Sequence, residues 1–211
     1  MADSKRTDYF PIDSFWLPRN FLRDPLMCAI KLARYKFVAK ILAKDDIVLD
    51  LGCGNGYGSY FFAKFAKEVI GIDLYADIPS VAKQMIGDNL SFIQGDILSP
   101  PSLIMDKQFS AVTMVDVIEH FYKEDGEAII QRYINLLSDN GVMIIGTPSK
   151  YTQAFRSTWS KDTHFHEYEP DELDEICQKY FSRTIMFSMN DEIVHTGFNK
   201  LAWFIFLLCF K

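Results

Sequence analysis

Two carboxylates and an imidazole lie within five residues in the segment VDVIEHF, which runs from Val115 to Phe121. Asp116, Glu119 and His120 follow the apolar run SAVTMV, which is typical of a buried strand. Ligands of α/β proteins bind where such strands end. If a helix begins at Asp116, positions i, i+3 and i+4 share one face and the three side chains converge. A metal site, an acid/base site and a polar helix start all remain open interpretations.

A second group of histidines lies in the segment THFHEY at residues 163–168. It falls in a connection from about residue 147 to about residue 169, and connections of that length are generally functional. We expect a histidine of this segment to complete the site that begins at Asp116. The candidate catalytic residues are His120, His164, His166 and Glu119. The candidate ligands of a divalent metal are Asp116, Glu119, His120 and His164.

Alternating strands and helices must position these groups. Strands are predicted at residues 46–51, 68–73, 90–96, 109–116, 142–148, 183–189 and 200–210. Helices are predicted at residues 26–43, 57–66, 80–87, 124–138 and 170–181, with Asn140-Gly141 ending the fourth. The β–α repeats predict a doubly wound, mostly parallel sheet, and the last two strands, with no helix between them, predict an antiparallel hairpin. The expected fold is therefore a Rossmann-like α/β sheet of seven strands.

Composition narrows the class of protein. The chain has 211 residues and 49% hydrophobic content, enough for one domain with an appendage. The net charge of −6 argues against a general nucleic-acid binder. The four cysteines are widely spaced, which predicts reduced thiols in a cytoplasmic protein, and no secretory signal is visible at the N-terminus. The apolar run at 201–210 is too short for a membrane span and predicts a buried strand.

A glycine-rich turn follows the first predicted strand in the segment VLDLGCGNGYGS. Gly52, Gly54 and Gly56 alternate, and Asp50 lies two residues before the first of them. Glycines allow a ligand to approach the backbone closely. The spacing differs from the dinucleotide pattern G-x-G-x-x-G, and an acid at this position suits a cationic ligand and repels a pyrophosphate. A nicotinamide dehydrogenase is therefore disfavoured.

From about residue 46 to residue 211 the sequence resembles the class I S-adenosylmethionine-dependent methyltransferases. The similar motifs, in chain order, are LDLGCGNG, IGIDL, QGDI, VDVIEH and GVMIIGTPS. The resemblance implies that Asp73 binds the ribose hydroxyls, and that Asp96 and Ile97 meet the adenine. The cofactor-binding residues that it implies are Asp50, Gly52, Cys53, Gly54, Asn55, Gly56, Tyr57, Asp73, Leu74, Asp96, Ile97, Asp116 and Arg34.

The N-terminal residues 1–45 are predicted to form an arm and a helix that cover the active site of the domain at 46–211. The segment ARYKFV resembles an extension in some of these enzymes. The resemblance implies that Arg34 and Tyr35 reach the carboxylate of the cofactor or close the site. A surface arginine on an amphipathic helix is the alternative. Trp16 and Arg19 in this arm are predicted to form a lid over the site.

The resemblance favours an O-methyltransferase that acts on a small hydroxylated or phosphate-bearing metabolite. Similar motifs occur in enzymes of ubiquinone and cell-surface polysaccharide synthesis, and in small-RNA 2′-O-methyltransferases. The alternatives are a metal-dependent enzyme of the quinone or RNA type, and a cofactor-binding protein without catalysis. The acidic charge disfavours RNA.

Overall fold

The computed structural model of the chain describes residues 21–74, 88–155 and 157–211. The predicted helix at 80–87 and the predicted lid residues Trp16 and Arg19 lie outside the described residues. The helices are α1 (Pro25–Ile41), α2 (Tyr57–Ala63), α3 (Ser102–Met105), α4 (Lys123–Tyr133), α5 (Thr158–Thr163) and α6 (Pro170–Gln178). The strands are β1 (Ile47–Leu51), β2 (Glu68–Asp73), β3 (Leu90–Gln94), β4 (Phe109–Val115), β5 (Leu137–Pro148), β6 (Arg183–Asn190), β7 (Ile193–His195) and β8 (Phe204–Phe210).

The strands form one sheet in the order β3-β2-β1-β4-β5-β8-β6-β7. Strands β1 to β5 run parallel, and β8 lies antiparallel between β5 and β6. The predicted parallel sheet with a C-terminal antiparallel hairpin is therefore confirmed. The predicted count of seven strands is wrong, because the described residues contain eight. The additional strand, β7, pairs with the end of β6 across a two-residue turn in which Asp191 has a positive φ of 51°.

The sequence predicted that the pair Asn140-Gly141 ends a helix, and this prediction is wrong. Helix α4 already ends at Tyr133, a 3₁₀ turn at Ile134–Leu136 follows, and β5 begins at Leu137. Asn140 has a φ of 65°, and the pairing of β5 with β4 shifts register around it. The left-handed conformation that Asn tolerates therefore produces a bulge inside the strand instead of a helix stop.

The segment after β4 also differs from its prediction. No helix begins at Asp116, whose φ of 56° is left-handed, and a short 3₁₀ turn covers only Ile118–His120. The predicted open connection from 147 to 169 contains a 3₁₀ segment at Lys150–Phe155 and helix α5. Helix α6 begins at Pro170, as predicted, behind a capping box formed by Glu169 and Glu172.

Helices cover both faces of the sheet, as a doubly wound fold requires. One core contains the apolar faces of α4 and α6, represented by Ile129, Tyr133 and Ile176. The other core joins α1 and α2 to the sheet through Val38 and Phe62. These two layers hold the carboxyl ends of the parallel strands in a fixed relation to one another.

The predicted burial of the C-terminal apolar run is confirmed for the strand, which begins only at Phe204, but Leu201 and Trp203 before it are exposed. Strand β8 is a central strand, and six of its seven residues are buried. In the described part of the chain, no helix is long and apolar enough to cross a membrane. Each cysteine is buried and forms no disulfide: Cys28, Cys53, Cys177 and Cys209.

Candidate functional site

The turn after β1 depends on glycine at three alternate positions. Gly52, Gly54 and Gly56 have φ angles of 62°, 53° and 79°, a region that side chains disfavour. A Cβ atom at Gly52 would lie 2.7 Å from Val117, so this glycine lets the turn pack against the segment after β4. A Cβ atom at Gly54 would meet nothing closer than the carbonyl oxygen of Gly52 at 4.0 Å, so Gly54 faces open space.

Asp50, on β1, connects the strand before this turn to α2 and β4. Its carboxylate accepts hydrogen bonds from Ser59 Oγ on α2 at 2.5 Å and from Thr113 Oγ1 on β4 at 2.7 Å. Burial raises the pKa of Asp50 from 3.8 to about 6, although both hydroxyl donors act in the opposite direction. Both carboxylate oxygens are engaged inside the protein, which supports a role in shaping the glycine turn.

Asp73 lies at the end of the neighbouring strand, β2, and faces the same turn. Its Oδ2 accepts a hydrogen bond from the backbone N–H of Gly54 at 2.9 Å. Asp96 follows β3, and its Oδ1 accepts a bond from the backbone N–H of Leu98 at 2.8 Å, which closes a local turn. The predicted cofactor-binding residues that follow these two acids differ in exposure: Leu74, after Asp73, is exposed, and Ile97, after Asp96, is buried. Asn55 and Tyr57 are partly exposed beside Gly56.

Asp116, at the end of β4, is paired with Arg34 from α1. Nη1 of Arg34 lies 2.6 Å and 2.8 Å from the two carboxylate oxygens, and the guanidinium lies over the ring of Phe204 at 3.9 Å. The alternative of a surface arginine is therefore wrong, because the Arg34 side chain is only 12% exposed. Its Nε is buried and has no hydrogen-bond partner among the described residues.

Glu119 is buried at the centre of the site. Its Oε2 accepts a hydrogen bond from Thr147 Oγ1 at the end of β5, at 2.9 Å. Burial, followed by the charge of Asp116, raises the pKa of Glu119 from 4.5 to about 8. Its backbone carbonyl accepts hydrogen bonds from the N–H groups of Phe165 and His166, which join the two histidine segments.

The rings of His120 and His164 meet edge to face, with centroids 5.0 Å apart. Nδ1 of His120 lies 2.9 Å from the carbonyl oxygen of Thr163, and Nδ1 of His164 lies 2.7 Å from Glu167 Oε1. Burial lowers the pKa of His120 below 6.5. Ligand atoms of Glu119, His120 and His164 all lie within 4.8 Å of one another, and we call these three residues the Glu–His–His group.

Two predicted members of the site are not in this group. Asp116 was expected to converge with Glu119 and His120 on one helical face, but its left-handed backbone directs its carboxylate to Arg34. Nε2 of His166 lies 3.1 Å from Glu172 Oε1 on α6, and the ring packs on Tyr168. His166 therefore joins the two segments to α6, while His164 belongs to the Glu–His–His group.

Sequence reasoning assigned no role to several groups around the site. Thr147 and Glu167 support the Glu–His–His group, and the end of β5 was a signal for Thr147. A cavity of about 500 Å³ lies beside His164 and Arg34 and also touches Trp203. No local pattern in the sequence marks Trp203, because its position depends on the pairing of β8.

Comparisons with known proteins agree with this architecture. Residues 48–141 match a family described as a methyltransferase domain. A ubiquinone biosynthesis O-methyltransferase from Glaesserella parasuis serovar 5 is 32% identical over 114 residues, which is 51% of this chain and 48% of that protein. The chain spans about half the length of the curated relatives it matches.

Two solved structures show the same fold. One is an S-adenosylmethionine-dependent methyltransferase from Thermotoga maritima, described as a possible histamine N-methyltransferase. It has a TM-score of 0.70, 16% identity and coverage of 93% of this chain and 99% of that one. The other is the N-methyltransferase NodS from Bradyrhizobium japonicum in complex with S-adenosyl-L-homocysteine, with a TM-score of 0.60, 15% identity and coverage of 99% and 92%. Together these comparisons show that the described chain has the fold of S-adenosylmethionine-dependent methyltransferases and that residues 48–141 match a methyltransferase domain.

Proposed function

We propose that this protein transfers a methyl group from S-adenosylmethionine to an oxygen atom of a small hydroxylated metabolite. The observation that carries the proposal is the glycine turn, with Gly54 facing open space and Asp73 hydrogen-bonded beside it. Asp73 would accept hydrogen bonds from the ribose hydroxyls, and Asp96 with Ile97 would lie against the adenine. The backbone from Gly52 to Tyr57 would line the methionine part of the cofactor, with Cys53 and Asn55 between the glycines.

Arg34 would bind the carboxylate of the cofactor in addition to Asp116. Its buried Nε, which has no partner among the described residues, supports this role because an unpaired buried donor is costly. We also infer that residues 1–45 cover the site. Helix α1 lies in that segment and brings Met27, Ile30 and Arg34 to the cavity, which supports the inference.

The cofactor supplies a methyl group made electrophilic by the sulfonium, so the protein must hold the acceptor in line with it and take up the hydroxyl proton. The Glu–His–His group is suited to the second task. With its Nδ1 donating to the carbonyl of Thr163, neutral His120 has its lone pair on Nε2. A lowered pKa keeps this imidazole neutral, as a general base requires.

A divalent ion held by the Glu–His–His group is the second candidate for activating the hydroxyl. Three donor atoms within 4.8 Å of one another fit such an ion. The contacts of each Nδ1, with Thr163 and Glu167, match the supporting hydrogen bonds of metal-bound histidines. The ion would lower the pKa of a coordinated hydroxyl. Asp116 would not be a ligand and would affect the ion only through its charge.

Relatives and chemistry together favour oxygen as the acceptor atom. The relative from Glaesserella is named an O-methyltransferase, and a buried carboxyl with two imidazoles suits removal of a hydroxyl proton. Among the described residues that line the cavity, Arg34 is the only lysine or arginine, and it is paired with Asp116. This arrangement favours a hydroxylated acceptor over a phosphate-bearing one.

The test is transfer of labelled methyl from S-adenosylmethionine to a panel of hydroxylated compounds. We expect Glu119→Gln, His120→Ala and His164→Ala to lower kcat by about a hundredfold or more, since acid–base groups contribute about 10² to 10⁴. His166→Ala is the matched control and should keep most of the activity, because its ring pairs with Glu172. If the protein binds the cofactor but transfers methyl to no acceptor, the proposed enzyme is refuted and the alternative of a non-catalytic cofactor-binding protein remains.

Chelation separates the two ways of activating the hydroxyl. The metal form predicts loss of activity in excess chelator and recovery with Mg²⁺, Mn²⁺, Fe²⁺ or Zn²⁺. It also predicts that calorimetry detects Mn²⁺ binding to the wild type but not to Glu119→Gln. Full activity in chelator, with no metal in the purified protein, would exclude the metal mechanism, and the general-base mechanism would remain.

A further inference from the structure

An acid and an indole share one edge of the cavity beside His164. Asp191 lies in the turn between β6 and β7, and Trp203 lies immediately before β8. Both side chains line the cavity and both are exposed, that of Trp203 by 52%. Met189 and Phe204, which line the same cavity, are each only 1% exposed. The acid and the indole therefore lie at the solvent-facing side of the cavity.

Backbone hydrogen bonds hold Trp203 beside this turn. Its N–H donates to Asn190 Oδ1 at 2.9 Å and to the carbonyl oxygen of Met189 at 3.2 Å. The start of β8 is thereby joined to the residue directly before Asp191. The carbonyl oxygen of Trp203 accepts a bond from the N–H of Ser149, which follows β5, at 3.0 Å. The indole is therefore carried on a backbone that is anchored to the ends of both β5 and β6.

The charged groups of the lining differ in what they contact. Arg34 is paired with Asp116, and Glu167 contacts Nδ1 of His164. The carboxylate of Asp191 has no ion-pair or hydrogen-bond partner among the described residues. Its negative charge is therefore available to a ligand in the cavity.

An ammonium group matches the acid and the indole together. The carboxylate attracts a positive charge, and the face of an indole attracts a cation more strongly than any other aromatic side chain does. A phosphate or carboxylate group at the same place would be repelled by Asp191. Because this side of the cavity faces solvent, a cation there keeps part of its hydration and avoids the full cost of burying a charge.

We propose that Asp191 and Trp203 form a subsite for an ammonium group, so that the acceptor carries a positive charge at one end and its reacting hydroxyl at the other. The position of the hydroxyl, near His164, rests on the proposed function, whereas the ammonium subsite follows from the cavity wall itself. Asp191 is then a specificity-determining residue, which selects cationic acceptors over neutral or anionic ones of the same shape.

The test is calorimetry with choline and with its uncharged isostere 3,3-dimethylbutan-1-ol, each with and without S-adenosylhomocysteine. Choline should bind about tenfold more tightly than the isostere, and tetramethylammonium, which has no hydroxyl, should compete with it. Asp191→Asn should weaken choline binding by about fivefold and binding of the isostere by less than about twofold. Trp203→Leu keeps an apolar wall and should also weaken choline binding by about fivefold, and Trp203→Phe should restore part of the loss.

Glu192→Gln is the matched control, because it removes the neighbouring exposed acid of the same turn, which lies outside the lining. It should change either affinity by less than about twofold. Equal affinity for choline and its isostere would overturn the proposal, and so would equal losses of choline affinity in Asp191→Asn and Glu192→Gln. Circular dichroism of each variant excludes misfolding as the cause.

Methyl transfer is measured separately, on paired cationic and uncharged hydroxyl compounds. Choline binding that depends on Asp191, without methyl transfer to any compound, refutes the proposed function alone. Methyl transfer that proceeds equally well to both members of each pair refutes the ammonium subsite alone.

Discussion

Arg34 and Asp116 form an ion pair between α1 and the turn after β4, with Nη1 at 2.6 Å and 2.8 Å from the two carboxylate oxygens. Asp116 has a left-handed backbone with a φ of 56°, a conformation that costs a non-glycine residue about 1 kcal/mol or more. The pair stabilises a turn that leads directly to Glu119 and His120. It therefore connects the N-terminal helix to the Glu–His–His group.

Breaking this pair should destabilise the fold. We expect Arg34→Gln to lower the free energy of unfolding by about 2 kcal/mol, because Asp116 is left partly buried without its cation. Lys36→Gln removes an exposed cation from the same helix and should change it by less than about 0.5 kcal/mol. Urea unfolding of the single variants and of Arg34→Gln/Asp116→Asn measures the coupling. Additive effects in that cycle would show that the two residues do not interact.

Asp73 should control cofactor affinity. Asp73→Ala removes the proposed acceptor for the ribose hydroxyls and also the partner of the Gly54 N–H, so binding should weaken by about ten- to a hundredfold. Glu68→Gln, at the opposite end of β2, is the control and should bind normally. Calorimetric titration with S-adenosylhomocysteine provides the affinities. Unchanged affinity of Asp73→Ala would remove Asp73 from the site.

Gly54 should matter for binding more than for folding. Gly54→Ala and Gly197→Ala both place a side chain at positive φ with nothing in the protein closer than 4 Å, so both should lose about 1 kcal/mol of stability. Only Gly54→Ala should weaken S-adenosylhomocysteine binding, by about tenfold or more, because its Cβ enters the space assigned to the cofactor. Equal binding by the two variants would contradict the assignment of the glycine turn.

Asp50 should make stability depend on pH. Its pKa is raised from 3.8 to about 6 in the folded protein, so folding takes up a proton between these pH values. The contribution of Asp50 to the free energy of unfolding is therefore fully present below about pH 3.8 and is lost as the pH rises to about 6. Relative to wild type, Asp50→Asn should gain up to about 3 kcal/mol in unfolding free energy between about pH 4 and about pH 7. Urea unfolding across that range measures the difference. Asp45→Asn, which removes an exposed acid just before β1, corrects for general charge effects. A constant difference between Asp50→Asn and wild type would refute the effect.

Much of the fold follows from local sequence. Apolar runs such as those of β1 and β4 repeat with helical segments between them, and that alternation predicts a parallel sheet. Strand β7 escaped prediction because it has three residues and depends on the turn at Asp191. The bulge at Asn140 escaped because Asn-Gly stops helices and also fits left-handed positions within strands.

By itself the sequence determined which segments end at the site: the glycine turn, Asp73 after β2, Glu119 and His120 after β4, and a histidine after β5. Only the tertiary structure decided that His164, and not His166, joins Glu119 and His120, because Glu172 on α6 binds the other ring. The same holds for Asp116, whose partner Arg34 lies 82 residues away in sequence. Such choices depend on which groups packing brings within hydrogen-bond distance, and residue spacing along the chain carries no information about that distance.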